Sequence, residues 1–367
     1  MKILATFFST LILAARRLWS HRLLMLCLLV GLVTAVGLLS SIPLYSDAVQ
    51  HRLLQGELTE AGTHRPPFSF LWRYVGAWHG AIEWAEYAPL DEYQSQQAPA
   101  NIGLPLESLV RHVKTDNLRL FAAADSEAFG DREPLGWISL GFITGIEEQV
   151  ELLAGAFPSP QAPGEDVEVL VSWALAEQMG LQVGERYVLF GSGDDSAQVP
   201  VRVAGLWRPL ETADAQAAGT QTTGGKFWFY QPQSFDEVLL TADAAFADQV
   251  VPKLEKPVAL AAWYQVYDGS RVRSGDVPGL LAQVTVAESR TAALLADTTL
   301  DVSPVDALEA YRSAARTLTV VLSVFSIPVI ALLLYFVALV AGLVVGRGQA
   351  EIAILRSRGT TRLQILL

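Results

Sequence analysis

Two long stretches without a charged residue divide the chain. Residues 318–345 form an uncharged run of 28 residues, and residues 23–42 form one of 20. A helix of about 20 residues crosses the hydrocarbon core of a bilayer, so both stretches are predicted to be transmembrane helices. A buried core helix is the alternative for the longer run, but soluble core helices rarely extend so far without a charge. The pattern therefore predicts a membrane protein with two spans.

Residues 1–22 are predicted to form a helix in the membrane interface. The first 15 residues are apolar but too short to span, and Arg16, Arg17 and Arg22 follow them. Basic side chains beside a short apolar segment are typical of a helix lying at lipid head groups. A signal peptide is the alternative. The longer apolar run that follows, without a clear cleavage site, disfavours it.

The distribution of charge predicts the orientation of the spans. Residues 1–42 and 346–367 together hold eight basic side chains and one acidic side chain, a net charge of +7. Because basic residues concentrate on the cytoplasmic side, both termini are expected in the cytoplasm and residues 43–317 on the other side of the cell membrane. That middle region holds 18 basic and 37 acidic residues, a net charge of −19. This acidic balance argues against nucleic-acid binding.

The region between the spans is predicted to be an α+β domain of one or two lobes. Its clearest pattern is a strand, a helix and a hairpin over 167–209, in which Ser172 caps the helix and Gly180 ends it. Further strands are predicted over 68–75, 118–122, 135–144, 227–230 and 258–267. Further helices are predicted over 106–113, 145–154, 234–250 and 279–298, and a flexible loop over 213–225.

Ser303 and Pro304 are predicted to begin a helix that continues into the second span. Serine is a favoured cap and proline suits the first helical position. Residues 303–317 would form a stalk, because nothing in the sequence breaks the helical pattern before Pro328, which is expected to kink the helix within the membrane. A single rod would then connect the outer domain with the cytoplasm.

After the second span, residues 346–367 are predicted to form a cytoplasmic segment of two short helices. Gly359 is placed to end the first, over 350–358, and Thr361 and Gln364 have the spacing of a capping box for the second. Only a few residues follow the second start, so the sequence indicates a chain cut within that helix.

No motif predicts catalysis, a metal or a cofactor. The nearest match to a phosphate-binding loop, residues 219–227, has the wrong spacing and places Phe227 where serine or threonine is needed. The five histidines lack metal-ligand spacing, and Asp194 and Asp195 lie in a predicted turn. Cys27, the one cysteine, lies in an apolar run and forms no disulfide within the chain.

Three segments carry a resemblance to a known family. ARRLWSHRLLMLCLLVGLVTAVGLLSSIPLYSDAV resembles the first span of FtsX-like permeases, and EIAILRSRGTTRLQIL resembles the segment after their second span. VEVLVSWALAEQMGLQVGERYVLF resembles the periplasmic core domain of MacB-type permeases. The resemblance implies the permease part of an ABC transporter with a MacB-like core domain. Residues 43–166 match only loosely.

The resemblance also implies partners and a site. Such permeases work with a cytoplasmic ABC ATPase, a second permease half or homodimer partner, and membrane lipids. The ATPase hydrolyses ATP, so this chain is not expected to be an enzyme. The helix that rests on the ATPase, the coupling helix, would consist here of Glu351, Ile352, Ile354, Leu355, Arg356 and Gly359. A basic anchor at lipid head groups is the alternative reading of this segment.

The expected function is export or mechanotransmission, with ATP hydrolysis by the partner moving the extracytoplasmic domain. The alternative is a membrane sensor, whose ligand-binding domain also lies between two spans. A membrane-anchored hydrolase is a third class, and the sequence offers no nucleophile arrangement for it. The sequence does not indicate a substrate.

Overall fold

The computed structural model describes residues 29–31, 33–34, 36–37, 48–50, 52–58, 66–123, 133–159, 166–191, 197–210 and 238–357. The chain divides into two compact units. We call Leu54–Ala310 the β unit, and Met1–Leu53 together with Tyr311–Leu367 the terminal unit.

The described part of the β unit contains eleven strands. They are β1 (Ser69–Val75), β2 (Leu106–Lys114), β3 (Leu118–Ala122), β4 (Gly136–Ile143), β5 (Val150–Gly155), β6 (Val167–Ser172), β7 (Arg186–Phe190), β8 (Gln198–Pro209), β9 (Val238–Leu240), β10 (Leu260–Tyr267) and β11 (Thr299–Val302).

The α-helices that have defined bounds are α1 (Gly76–His79), α2 (Trp84–Glu92), α3 (Ala98–Ile102), α4 (Trp173–Met179), α5 (Asp243–Ala245), α6 (Val277–Leu294) and α7 (Val305–Ser357). π-Helical turns extend α2 over Tyr93–Gln97 and α5 over Phe246–Val250, and 3₁₀ turns occupy Ile146–Glu148 and Val251–Lys253.

One half of the sheet is antiparallel, in the order β11-β1-β10-β2. Its centre is β10, which pairs along its whole length with β1 on one side and β2 on the other. Trp72 opposes Trp263 across the first pair, and His112 opposes Ala262 across the second. Because side chains alternate along each strand, this half presents two different faces for packing.

The other half closes on itself. β4 pairs with β3 and, in parallel, with β9, and the order β3-β7-β8-β6-β9 then returns to β4. These pairings form a ring of six strands. β5 pairs with the last part of β8, and β2 joins the ring at the end of β4, where Val113 opposes Phe142. β4 therefore connects the two halves through backbone hydrogen bonds.

The two halves share a hydrophobic core. One face of the antiparallel half, which includes Leu71, Val110 and Tyr264, packs in the same cluster as ring residues such as Leu170 and Trp207. Burying side chains of this size stabilises a fold by about 1.5–3 kcal/mol each. The halves are therefore expected to unfold together.

Helices cover the opposite face of the antiparallel half. Tyr87 of α2 stacks on Trp263, with ring centroids 5.6 Å apart. A fully buried amide network lies beside this contact: Gln265 donates to the Gln94 carbonyl oxygen at 2.8 Å, and Gln94 donates to the Thr291 hydroxyl of α6 at 2.8 Å. Buried polar groups must be paired, so this network fixes how the helices sit on the sheet.

Most sequence-predicted elements of the described region are confirmed. The strand, helix and hairpin over 167–209 form as expected. Ser172 caps α4 by accepting a hydrogen bond from the Leu175 amide at 3.2 Å, and Gly180 ends it with φ 73°. The strands predicted over 68–75, 118–122, 135–144 and 258–267 correspond to β1, β3, β4 and β10. The helix predicted over 279–298 is α6, which ends at Leu294.

Three helix predictions are wrong in whole or in part. Residues 106–113 form strand β2. Their apolar positions fit a helical period, but the segment pairs with β10 along its length and with β4 at its end, and this pairing decides the conformation. Residues 145–154 form a 3₁₀ turn and then β5, which pairs with β8. Among the described residues of 234–250, Val238–Leu240 form β9, and helical turns follow from Asp243.

Several predictions lie outside the described residues. They are the interfacial helix over 1–22, the loop over 213–225, the strand over 227–230, the loop-like sequence at 219–227, and the turn with Asp194 and Asp195.

Replacing Gly141 should weaken the connection between the two halves. A Cβ atom at this position would lie 2.3 Å from the Val113 carbonyl oxygen, which is backbone and cannot rotate away. We expect Gly141→Ala to lower the free energy of unfolding by about 2–3 kcal/mol. Gly275→Ala is the control, because a Cβ there meets nothing within 4 Å. Chemical denaturation followed by tryptophan fluorescence tests this, and equal stabilities of the two variants would contradict it.

His112 should make the stability of the β unit depend on pH. Burial, and then the charge of Lys114, lower the pKa of His112 from 6.5 to about 3. Between these values the unfolded chain binds a proton that the folded chain excludes, so stability falls as the pH falls below 6.5. The slope approaches about 1.4 kcal/mol per pH unit.

His112→Gln should remove this part of the pH dependence, because glutamine does not titrate. Unfolding curves at pH values between 7 and 4.5 would measure it, on the order of 2 kcal/mol at pH 5. Parallel pH profiles for the wild type and the variant would refute the assignment.

Candidate functional site

The candidate site begins with α7, a single helix of 53 residues. It starts as predicted, with the Val305 amide donating to the Ser303 hydroxyl at 3.4 Å, and Leu308 and Tyr311 are buried. At about 1.5 Å per residue, such a helix is about 80 Å long. The continuity of the predicted stalk and second span is confirmed. Pro328 lies inside the helix, and the kink there stays a prediction.

The surface of α7 is apolar over a long stretch. Within Val305–Leu339 the most apolar 18-residue window has a mean hydropathy of 2.7 and is not buried. Phe325, Leu332 and Tyr335 are each about 70% exposed. Among the described residues, α7 is the one helix that is long and apolar enough to cross a membrane.

The hydroxyl groups on this part of α7 do not oppose burial in lipid. Thr319, Ser323 and Ser326 each donate to the carbonyl oxygen four residues earlier, at 2.8, 2.7 and 2.6 Å. Because lipid offers no hydrogen-bond partners, polar side chains in a span must be paired internally. These three satisfy that condition within the helix itself.

The first predicted span is described at 29–31, 33–34 and 36–37, and these residues are helical. Gly31 lies against α7: a Cβ atom there would lie 2.5 Å from Cε1 of Phe336. Glycine lets a neighbouring helix approach closely, which is how helices commonly pack in membranes. The two apolar segments therefore contact each other. The full span over 23–42 stays a prediction.

The predicted coupling residues Glu351, Ile352, Ile354, Leu355 and Arg356 lie in the last turns of α7. The prediction of a separate short helix over 350–358 is wrong for the described residues, because α7 continues without a break to Ser357. Gly346 and Gly348 cost a helix only about 1 kcal/mol each, and no proline follows them to interrupt it. Gly359 lies outside the described residues. Contact with an ATPase stays a prediction.

A second candidate feature is a cavity of about 250 Å³ in the β unit. It lies where β4 and β9 diverge. This point is next to the hydrogen bond that the Thr241 amide donates to the Gly141 carbonyl oxygen at 2.8 Å. β4 continues beside β2 and turns at Gly145, whose φ is 76°, whereas the chain after β9 enters α5 at Asp243. The cavity opens between these two paths.

An ion-pair cluster adjoins the cavity. Arg111 donates to Asp91 at 3.0 Å and to Asp243 at 2.8 Å, and Trp263 donates to Asp91 at 2.8 Å. Burial alone would lower the pKa of Arg111, but Asp91 and Tyr87 raise it overall, so the guanidinium stays charged. Burial and then Asp91 raise the pKa of Tyr87 well above its usual value.

The cluster and the cavity were not predicted. Arg111 and Asp243 are 132 residues apart, and Arg111 lies in a strand that was predicted to be a helix. If 106–113 is taken as a strand, the alternation of its side chains places Arg111 on the same face of the sheet as Trp263. This alternation is the one sign of the cluster that the sequence offers. In the described ranges no group of three or more His, Cys, Asp or Glu residues could hold a metal ion.

The contact of Gly31 with Phe336 gives a testable prediction. Gly31→Leu should lower the melting temperature of the protein in detergent by several degrees, because the added side chain needs the space of the ring. Adding Phe336→Ala should restore much of the loss. Gly37→Leu is the control, because a Cβ there meets nothing within 4 Å. An unchanged melting temperature for Gly31→Leu would show that the two helices do not pack there.

Comparisons with known proteins include a distant likeness to a solved structure. No family model and no curated protein matches the sequence. Among solved structures, the chain is similar to the crystal structure of a domain assigned to a permease protein from Porphyromonas gingivalis. The identity is 13%, 64% of this chain and 88% of that chain are covered, and the TM-score is 0.32. A likeness this weak does not define a family for the chain.

Proposed function

We propose that this chain is a permease subunit, or part of one, of an ABC transporter of the FtsX/MacB type. In this proposal a partner ATPase in the cytoplasm binds and hydrolyses ATP. Its movement reaches the β unit, outside the membrane, through α7. The transporter then exports a substrate or activates an outer partner. This chain supplies no catalytic residue.

The observation that carries the proposal is the continuity of α7. The helix begins at Val305 in the β unit, contains the uncharged run over 318–345, and reaches the proposed coupling residues before Ser357. An α-helix keeps its backbone hydrogen bonds within itself, so it can cross lipid and stay stiff along its length. A displacement at one end therefore has a mechanical route to the other.

A membrane sensor is a second candidate, and the same observation favours it. A sensor also needs a helix that continues from an outer ligand domain through the membrane into the cytoplasm. The end of a helix predicted at Gly359 and the start of another after it would favour the permease, and α7 is continuous as far as Ser357, where the described residues end. The two candidates differ in the cytoplasmic partner: an ABC ATPase for the permease, and a signalling domain for the sensor.

The test is binding of an ABC ATPase by the full chain in nanodiscs. We expect the wild type to bind the ATPase and to change its rate of ATP hydrolysis. Leu355→Asp should weaken binding at least about tenfold, because a buried apolar contact at an interface would be replaced by a charge. Deleting residues 350–359 should abolish binding. Intact binding after this deletion would show that the segment is not the coupling site.

Arg347→Ala is the matched control for a lipid anchor. Arg347 lies in the same helix, before the proposed coupling residues. Its loss should weaken attraction to anionic lipid without affecting the ATPase. If only arginine replacements had an effect, and only on lipid binding, the segment would be a basic anchor. If the wild type bound no ABC ATPase, the sensor would replace the permease.

A further inference from the structure

We propose that α7 packs, within the membrane, against α7 of a second copy of this chain, and that the Tyr335 hydroxyl groups of the two copies pair there. The proposal rests on α7 crossing the membrane and does not depend on the ATPase partner. Its basis is a hydroxyl group without a partner in the uncharged run and two glycines with open space on the same side of the helix.

Tyr335 is the exception among the polar side chains of the uncharged run. Residues 318–345 hold four of them, Thr319, Ser323, Ser326 and Tyr335. The first three donate hydrogen bonds within the helix. Tyr335 is 69% exposed and forms no hydrogen bond with any residue that the structure describes. Lipid offers no partner either, so an unpaired hydroxyl group in this run is costly.

The hydroxyl group of Tyr335 lies too deep to reach water. The nearest charged residue, Arg347, is 12 residues further along α7, which is about 18 Å along the helix axis. Long side chains on a helix point back towards its N-terminus, so the ring of Tyr335 extends away from this nearer end of the span. The hydrocarbon core is about 30 Å thick. A partner for the hydroxyl group must therefore be another protein group inside the membrane.

Tyr335 belongs to a continuous face of α7, which we call the seam. Residues spaced alternately by four and three positions lie on one side of a helix. The seam consists of Val321, Phe325, Pro328, Leu332, Tyr335, Leu339, Gly342 and Gly346, and all of them are exposed. The opposite side, which includes Leu322, Ile330 and Leu333, is half-buried. The seam is therefore the side of α7 that is open to a further helix.

Two glycines at one end of the seam indicate that this helix approaches closely. A Cβ atom at Gly342 or at Gly346 would meet nothing within 4 Å. Two glycines separated by three residues let the backbones of paired membrane helices come together. Gly31 differs, because the ring of Phe336 already fills the space beside it. The space at Gly342 and Gly346 has no such occupant among the described residues.

A second copy of the chain supplies what the seam requires. Two copies inserted in the same direction place Tyr335 at the same depth in the membrane. Across a two-fold axis the same surface of each copy forms the contact, so one Tyr335 faces the other. A tyrosine hydroxyl group both donates and accepts, so the two can satisfy each other. The glycines of both copies then also lie in the contact.

The test is disulfide cross-linking of the full chain in membrane vesicles, with Cys27→Ala and one new cysteine in each variant. Leu332→Cys and Leu339→Cys place the thiol on the seam. Ile327→Cys and Leu334→Cys are the matched controls, because these exposed residues lie about a third of a turn away from it.

With copper phenanthroline as the oxidant, we expect the two seam variants to form covalent dimers at least about fivefold faster than the controls, because a disulfide needs Cα atoms within about 7 Å. Equal rates at all four positions would show random collision and overturn the proposal. Faster cross-linking of the controls would place the contact on another side of α7 and overturn it as well.

Tyr335→Phe tests the hydroxyl group by itself. Energy transfer between labelled copies in lipid vesicles should show the dissociation constant of the dimer rising about threefold to tenfold, the usual effect of one hydrogen bond between membrane helices. Ser326→Ala is the matched control, because it removes a hydroxyl group that is already paired with the Leu322 carbonyl oxygen. Gly342→Leu should weaken the dimer more than about tenfold. An unchanged constant for Tyr335→Phe, or no association of the wild type, would refute the proposal.

Discussion

The exposed apolar surface of α7 is the constraint on which the account of this protein depends. Twelve large apolar side chains between Val320 and Leu339 are exposed. Full burial of such a side chain contributes about 1.5–3 kcal/mol, and these are 40–72% exposed, so leaving them in water forgoes roughly 10–20 kcal/mol in total. That is as large as the roughly 5–15 kcal/mol by which folded proteins are usually stable. A lipid environment removes this cost, and the internally bonded hydroxyl groups of Thr319, Ser323 and Ser326 suit it.

The same helix begins in a unit whose two halves are joined by backbone pairing and by a shared core. β4 pairs with β2, β3 and β9, so the antiparallel half and the six-stranded ring share backbone hydrogen bonds as well as a core. Packed cores of this kind shift as units rather than deform continuously. In the proposed permease, and equally in the sensor, α7 would carry a displacement or a ligand signal to or from this unit.

The sequence predicted elements whose signals are local and missed those set by distant partners. Neighbouring residues in the sequence were enough to predict the cap at Ser172, the helix end at Gly180 and the helix that begins after Ser303. Strands β2 and β5 could not be predicted from local signals, because they pair with strands that lie far away in the sequence. The coupling residues were proposed from a resemblance, whereas the cavity depends on the divergence of β4 and β9, which no local pattern encodes.

The most direct test of the central claim is the accessibility of the two ends of α7 across a membrane. Cysteine would replace Ser303 in one variant and Ser357 in another, each with Cys27→Ala, in right-side-out membrane vesicles. We predict that a membrane-impermeant maleimide labels position 303 in intact vesicles and position 357 only after permeabilisation. Labelling of both positions in intact vesicles, or of neither, would place the two ends on the same side and contradict a spanning α7.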